Sequence, residues 1–151
     1  MRRFKFTLTS LLNVKISLEK QKMLELADQN RIIIMLEQEL DALKTRLNDS
    51  TDEYNLKMER GGMNAGDIAA YSTGIRALFD RIAGQLEKIR RAVKVKERIT
   101  NELVALMGER KMLENLKEKQ YQEYLEEARR EEAKIMDDFM STKIIGDQED
   151  G

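Results

Sequence analysis

The stretch Gly61-Gly62-Met63-Asn64-Ala65-Gly66 separates two long amphipathic segments of this 151-residue chain. Glycine reaches backbone conformations that tight turns require, and three glycines in six residues are enough to reverse the chain. The sequence contains no proline, and a proline inside a helix costs about 3 kcal/mol or more. We therefore predict two long, unbroken helices joined by a turn over residues 61–66.

The first segment carries a heptad repeat, which predicts a helix from about Leu8 to about Arg60. Apolar residues recur every seven positions, and a second set follows three positions later. This spacing places one apolar seam along a helix and is typical of a left-handed coiled coil. The two sets are Leu26, Ile33, Leu40, Leu47 and Tyr54, followed by Leu36 and Leu43.

The second segment repeats the pattern and predicts a helix from about Asp67 to about Met140, capped by Asn64 or by Asp67 itself. Its two heptad positions hold Ile75, Ile82, Ile89 and Leu103, and Leu78, Ala92, Ile99, Leu106 and Leu113, with a flanking apolar stripe of Phe79, Leu86, Val93, Met107, Tyr121 and Ile135. The predicted fold is all-α: a long antiparallel two-helix coiled-coil hairpin over residues 1–140 with a longer second helix, followed by a flexible tail over 141–151.

The end of the second helix is predicted to lack a counterpart. Pairing about residue 64 sets residue i against about 128 minus i at the helical rise, so Leu8 lies opposite Gln120. The residues beyond it are apolar enough that an isolated helix there needs a partner to cover it. Those residues are Tyr121, Tyr124, Leu125, Ile135, Met136 and Phe139.

The composition argues against catalysis. The chain has no histidine and no cysteine, which removes the commonest general base, metal ligands and thiol nucleophile. No glycine run has the phosphate-binding form, and carboxylate pairs such as Glu126-Glu127 lie on a helix without a pocket that would shift their pKa values. We expect no enzyme activity, no cofactor, no metal and no small-molecule substrate. The net charge of -1 gives no reason to expect nucleic acid, and no apolar run approaches the ~18 residues of a membrane span.

Three local patterns leave alternatives open. The run Ile32–Leu36 is apolar all round, which indicates either overpacking of the hairpin or a docking patch. The basic stretch Lys88–Arg98 indicates either a solvated face or a patch that steers the chain onto an acidic protein surface. The first 18 residues are basic, hydroxyl-rich and free of acids, as in a mitochondrial presequence, although the apolar pattern continues through them into the first helix.

Seam positions also hold cations, namely Lys96, Arg110 and Lys117. Burying a cation costs stability unless it is paired, so such residues either loosen a seam or fix its register. In the proposed alignment Arg110 lies near Glu19, and we predict that these two residues pair.

The termini carry a resemblance to a known family. The opening pattern of Phe4, Phe6, Leu8, Leu11 and Leu12 resembles the start of the flagellar export protein FliJ family. The size, the two-helix pattern and the short middle break agree over nearly the whole chain. Tyr71, Leu78 and Ile82 resemble the start of that family's second helix. Lys134, Asp137, Asp138 and Phe139 resemble its ending, although Asp-Glu is commoner there than Asp-Asp.

The resemblance implies a non-enzymatic stalk and adaptor similar to the central stalk of rotary ATPases. Its implied partners are the flagellar export ATPase ring, the membrane protein of the export gate and the export chaperones, at the cytoplasmic face of the inner membrane. By analogy, contacts with the ATPase would lie in the terminal half, and gate or chaperone contacts would lie near the turn. The first set is Phe4, Phe6, Leu11, Tyr121, Tyr124 and Met136, and the second is Tyr71, Leu78 and Phe79.

Two other hypotheses remain. The chain could be a homo-oligomeric coiled-coil scaffold or spacer that uses its extra apolar face only for self-association. With a presequence, it would instead be an organellar coiled-coil subunit, such as a stalk of a rotary ATPase.

Overall fold

The computed structural model of the chain describes residues 2–149. Helix α1 spans Thr9–Arg60 and helix α2 spans Ala65–Glu149. The two helices pack against each other, and α2, with 85 residues, is longer than α1, with 52. The predicted all-α fold with a longer second helix is confirmed. No helix of the described residues is long and apolar enough to cross a membrane.

The turn between the helices depends on two glycines with left-handed backbone angles. Gly61 has φ 75° and Gly62 has φ 88°, a region that other residues rarely enter. The Gly61 amide donates to the Met58 carbonyl at 3.3 Å, and the Asp67 amide donates to the Asn64 side-chain oxygen at 2.8 Å. Asn64 is therefore the cap, and α2 begins at Ala65, two residues before the predicted start.

The far end of α2 extends beyond its predicted end at about Met140. Residues 141–149, which the sequence predicted to lie in a flexible tail, are helical in the structure, and residues 150 and 151 lie outside the described range. The segment contains no proline, and its one glycine, Gly146, costs a helix only about 1 kcal/mol relative to alanine. The Thr142 hydroxyl donates to the Asp138 carbonyl at 2.9 Å within this last part of the helix.

The described chain divides into two compact units. We call Lys20–Val104 the turn unit, and we call the residues up to Glu19, with those from Ala105 onward, the terminal unit. The helices are antiparallel within each unit. The seam of the turn unit contains the predicted heptad residues, and its buried apolar members are Ile33, Leu40, Leu78, Ala92, Ile99 and Leu103.

Two glutamines cross the seam of the turn unit. The Gln29 side-chain amide donates to the Ala92 carbonyl, and the buried Gln85 donates to the Leu36 carbonyl and to Glu39, each at 2.9 Å. The side-chain pairs Gln85–Glu39 and Tyr71–Glu53, which join the two helices, have residue numbers that add to 124, against the predicted 128. The register is displaced because the helices end at 60 and resume at 65, so the turn is centred before residue 64.

The N-terminal residues cover a longer part of α2 than the sequence predicted. Residues 2–6 are not helical, and the Tyr124 hydroxyl donates to the Arg2 carbonyl at 2.7 Å. A non-helical chain spans up to about 3.3–3.6 Å per residue, whereas a helix rises 1.5 Å, so these few residues cover more of α2 than another helical turn would. Ala128 is buried, and the expectation that α2 is uncovered from Tyr121 onward is therefore wrong by about two turns.

Candidate protein-binding surfaces

Aromatic side chains from both ends of the chain meet in the terminal unit. The Phe4 ring lies 5.2 Å from Tyr121 at 64° and 5.5 Å from Tyr124 at 46°, measured between centroids and ring planes. The two tyrosine rings lie 6.3 Å apart. We call these three residues the terminal aromatic cluster. Edge-on and tilted rings at these distances attract each other, so the cluster holds the N-terminal segment against α2.

The other predicted terminal residues lie in different environments. Phe6 is 6% exposed, and its carbonyl accepts the Thr9 hydroxyl at 2.7 Å where α1 begins. Leu11 and Met136 are exposed. The structure thus brings three of the six predicted residues into one cluster, buries Phe6, and places Leu11 and Met136 on exposed surface.

Beyond Ala128, α2 continues, and every side chain that the structure describes there, as far as Asp147, is exposed. We call residues 129–147 the C-terminal extension. All but one of its larger apolar residues follow helical spacings of three and four and therefore share one side of the helix. They are Ile135, Met136, Phe139, Met140 and Ile144, each more than half exposed, whereas Ile145, which is 57% exposed, lies on the other side. Lys134, Asp138 and Ser141 lie on the opposite side. A helix with one uncovered apolar side is typical of a partner-binding segment.

Near the turn, Tyr71 is fixed by a polar network. Its hydroxyl donates to Glu53 at 2.9 Å and accepts from the Lys57 ammonium at 2.7 Å, and its ring lies 5.7 Å from that of Tyr54. The hydrogen bond from Tyr71, together with Lys57, lowers the pKa of Glu53 below its ordinary value. The network keeps the Tyr71 ring in one orientation beside the seam.

Tyr71 borders an open groove of about 430 Å³ between the two helices of the turn unit. We call it the turn groove. Its lining is apolar except for two arginines and a serine: Arg46, Ser50, Ala70, Tyr71, Gly74, Ile75, Ala77, Leu78 and Arg81. Two of the three residues predicted near the turn, Tyr71 and Leu78, line this groove, whereas Phe79 does not and is 58% exposed elsewhere on α2.

Sequence reasoning missed the residues that give the groove its charge and its depth. Arg46, Gly74 and Arg81 did not stand out as a motif. A signal was available, because all three occupy the same heptad position on their own helices. Each comes immediately before a seam residue. Such positions border a seam on one side, and their side chains define whatever groove lies there.

The basic stretch Lys88–Arg98 is partly neutralised within the chain. Glu87 accepts hydrogen bonds from Arg90 at 2.8 Å and from Arg91 at 3.2 Å, and the Arg90 guanidinium lowers the pKa of that carboxyl to about 2. Arg98 lies 3.9 Å from Glu102. These ion pairs favour the interpretation of a solvated, internally compensated face.

The run Ile32–Leu36 splits between seam and surface. Ile33 is buried, whereas Ile32, Ile34 and Met35 are 45%, 53% and 57% exposed. Exposed side chains do not overpack a seam, so that interpretation is wrong. The run is exposed apolar surface beside two seam residues, the buried Ile33 and the half-buried Leu36.

The predicted ion pair in the seam exists. The Arg110 guanidinium donates to Glu19, which is only 9% exposed, and also to Glu114 at 2.9 Å. Lys15 and Glu109 pair nearby at 2.5 Å. The charge of Arg110 is therefore paired, as the cost of burying a lone charge requires, whereas Lys117 is exposed and the half-buried Lys96 has no ion pair among the described residues.

Paired helices, an uncovered apolar extension and a charged groove define a coiled-coil protein of the protein-binding class. The family model described as "FliJ: Flagellar FliJ protein" matches residues 4–149. The chain belongs to the FliJ family, as its terminal motifs predicted, and is a non-catalytic component of the flagellar export apparatus. Neither a search of curated proteins nor a search of solved structures gave a significant match.

Proposed function

We propose that this chain is the stalk and adaptor of its flagellar export apparatus: it binds the export ATPase ring and helps couple it to the export gate and to export chaperones. It acts in the cytoplasm, at the inner-membrane face of the flagellar base. The observation that carries the proposal, within this family, is the C-terminal extension. An apolar helical side that the chain itself does not cover supports a binding site for another subunit.

The contact residues divide between the two units. In the terminal unit, Tyr121, Leu11 and Met136 present apolar surface to the ATPase. Phe4 and Tyr124 hold the N-terminal segment in place. In this scheme Phe6, which is buried, has no direct contact and anchors that segment.

In the turn unit, Tyr71 and Phe79 contact the gate protein or a chaperone, and Leu78 forms part of the floor of the turn groove beside Tyr71. Leu78 is 8% exposed and lines the turn groove, so a partner reaches it only through that groove. The turn groove and the C-terminal extension belong to different units, which supports separate contacts for separate partners.

The test replaces one side of the extension and leaves the helix intact. One variant carries Ile135→Ser and Phe139→Ser, and the matched control carries Lys134→Ser and Asp138→Ser on the opposite side. We expect the first variant to lose binding to the purified export ATPase and stimulation of ATP hydrolysis, and the control to keep both. If the first variant binds and stimulates as wild type does, the extension is not the ATPase contact and the proposal fails.

A second candidate function is a homo-oligomeric coiled-coil scaffold, favoured by one observation. Phe79, Leu86 and Val93 follow one another at heptad spacing on α2 and are 58%, 49% and 37% exposed, a stripe that another copy of the chain could cover. Light scattering on the purified chain separates the candidates. The stalk proposal expects a monomer, whereas a stable dimer that Leu86→Glu dissociates would favour the scaffold.

A further inference from the structure

We propose that the turn groove binds an acidic segment of a partner protein, with an apolar side chain of that segment inserted beside Gly74 and carboxylates paired with Arg46 and Arg81. The identity of that partner as a gate or chaperone subunit rests on the proposed function. The chemistry of the recognised segment rests on the groove alone.

The space for the apolar anchor comes from a missing side chain. Gly74 lies within α2 and lines the groove, and a Cβ added there would meet no atom within 4 Å. Around it, Ile75, Leu78 and the ring of Tyr71 supply an apolar floor. An apolar side chain entering this space would lose water where it meets this floor, and such burial contributes the non-directional part of binding.

The two arginines give the groove its selectivity. Arg46 comes from α1 and Arg81 from α2, and no carboxylate of the described chain lies within ion-pair distance of either. The other seven lining residues are uncharged. A guanidinium binds a carboxylate through two parallel hydrogen bonds, so two free arginines favour a partner that presents acids.

The arginines of the turn groove have no acid of the described chain beside them, whereas arginines of the basic stretch further along α2 do. Arg90 and Arg91 share Glu87, and Arg98 lies near Glu102, so a partner would have to displace acids already in place. An acidic segment gains more at Arg46 and Arg81 because no intrachain pair is broken there. Electrostatic complementarity of this kind acts mainly on specificity and on the rate of association.

The occupant is recognised through side chains. Both walls of the groove are helices whose backbone amides and carbonyls bond within the helix, so strand addition to a free edge is not available. A groove that combines an apolar floor with two cations favours an apolar anchor accompanied by acids. A polyanion without an apolar anchor, such as nucleic acid, would leave that floor unused.

The experiment uses the full chain and two substitutions that fill or reverse the groove. Gly74→Leu places an apolar side chain in the empty space, and its matched control is Gly108→Leu, another helical glycine whose added Cβ meets nothing within 4 Å. Arg46→Glu with Arg81→Glu reverses the charge, and Lys44→Glu with Arg76→Glu makes the same change in net charge at two exposed residues that do not line the groove. Circular dichroism checks that each variant remains helical.

The probes are the purified cytoplasmic domain of the export gate protein, the purified export chaperones, and a labelled peptide of Asp and Glu around one central Leu. We expect Gly74→Leu and the double charge reversal each to weaken binding of the peptide, and of the subunit that uses the groove. The expected loss is about tenfold or more, which corresponds to about 1.4 kcal/mol or more. The control variants should bind within about twofold of wild type.

The outcomes separate this inference from the proposed function. If a gate or chaperone subunit binds but neither groove variant weakens it, the inference is overturned and the proposed function stands. If only the peptide binds, and does so in a manner that depends on Gly74, the groove chemistry stands and the proposed partners fail. Equal binding of a peptide with Ser in place of Leu, or equal competition by a single-stranded oligonucleotide, would overturn the apolar anchor and with it the inference.

Discussion

One substitution, glycine to alanine, should have opposite effects on stability at two positions of this chain. Gly62 lies in the turn with φ 88°, and Gly108 lies within α2. An added Cβ meets no atom within 4 Å at either position. Packing therefore contributes nothing to the difference between the two variants, and the backbone conformation alone decides it.

The magnitudes follow from two terms. At both positions alanine restricts the unfolded chain, which stabilises the folded state by about 0.4–1 kcal/mol when the native backbone tolerates it. At Gly108 the helix tolerates it, so we expect a gain of about 0.5–1 kcal/mol. At Gly62 the left-handed conformation costs an L-residue roughly 1–2 kcal/mol. This cost exceeds the gain and leaves a net loss of about 0.5–1 kcal/mol at that position.

Urea unfolding followed by circular dichroism at the helix band measures both variants, and the slope with denaturant checks that the same surface is exposed. We expect the midpoint to rise for Gly108→Ala and to fall for Gly62→Ala. Gly62→Asn serves as a control, because asparagine tolerates the left-handed region better than alanine does, and it should recover part of the loss.

A rise in the midpoint for Gly62→Ala would refute this reasoning. It would mean that the turn relaxes to an ordinary backbone conformation at no cost, and that the two glycines do not determine how the chain reverses. A fall for Gly108→Ala would show that this position of α2 is covered by something other than solvent.

Three further outcomes are expected. Ile99→Ala, at the most deeply buried large side chain, removes three carbons and should cost about 2.4 kcal/mol at roughly 0.8 kcal/mol each, whereas Val104→Ala, at an exposed position, should cost well under half of that in the same urea assay. Arg110→Met should destabilise the chain more than Glu19→Gln, because the first leaves a buried carboxylate without its partner while the second leaves the guanidinium its other acid; equal losses in thermal melts would contradict this. The Glu87 pKa is lowered to about 2, so its ion pairs stabilise the fold above the ordinary carboxyl pKa of 4.5 and are lost as pH falls towards 2; the difference in melting temperature between wild type and Glu87→Gln should shrink over that interval.

The heptad pattern was enough to predict the two helices and the residues of their seam. Leu40, Leu78 and Ile99 are buried where the repeat placed them, because a seven-residue apolar repeat has only one low-energy arrangement on a helix pair. The register was harder to predict. It depends on the residues at which the turn starts and ends, and a shift of two residues in the start of α2 moves every opposing pair.

The helix ends were predicted least well, for two physical reasons. Residues 2–6 leave the helix and run along α2 as far as the neighbourhood of Tyr124, and heptad counting assumes a helical rise throughout. At the other end, the sequence after Met140 is neither strongly helical nor interrupted, so propensity alone does not fix where α2 stops.

Predicting the candidate sites depended on what a side chain faces as well as on its type. Tyr71 and Leu78 stood out because they are large and match a family pattern, yet Phe79, one residue along, lies outside the groove that they line. Adjacent residues on a helix are about 100° apart around the axis, so a motif read as a string mixes opposite sides of the helix.

The same geometry explains why the most basic part of the sequence is a poorer anion site than two isolated arginines. Residues crowded along one helix lie three and four positions from acids on that helix, and such spacings favour pairing within the chain. Glu87 is bonded to two arginines of the basic stretch in this way. Arg46 and Arg81 instead line one groove from different helices. The charge available to a partner therefore depends on which acids each arginine can reach, and this favours the turn groove over the basic stretch.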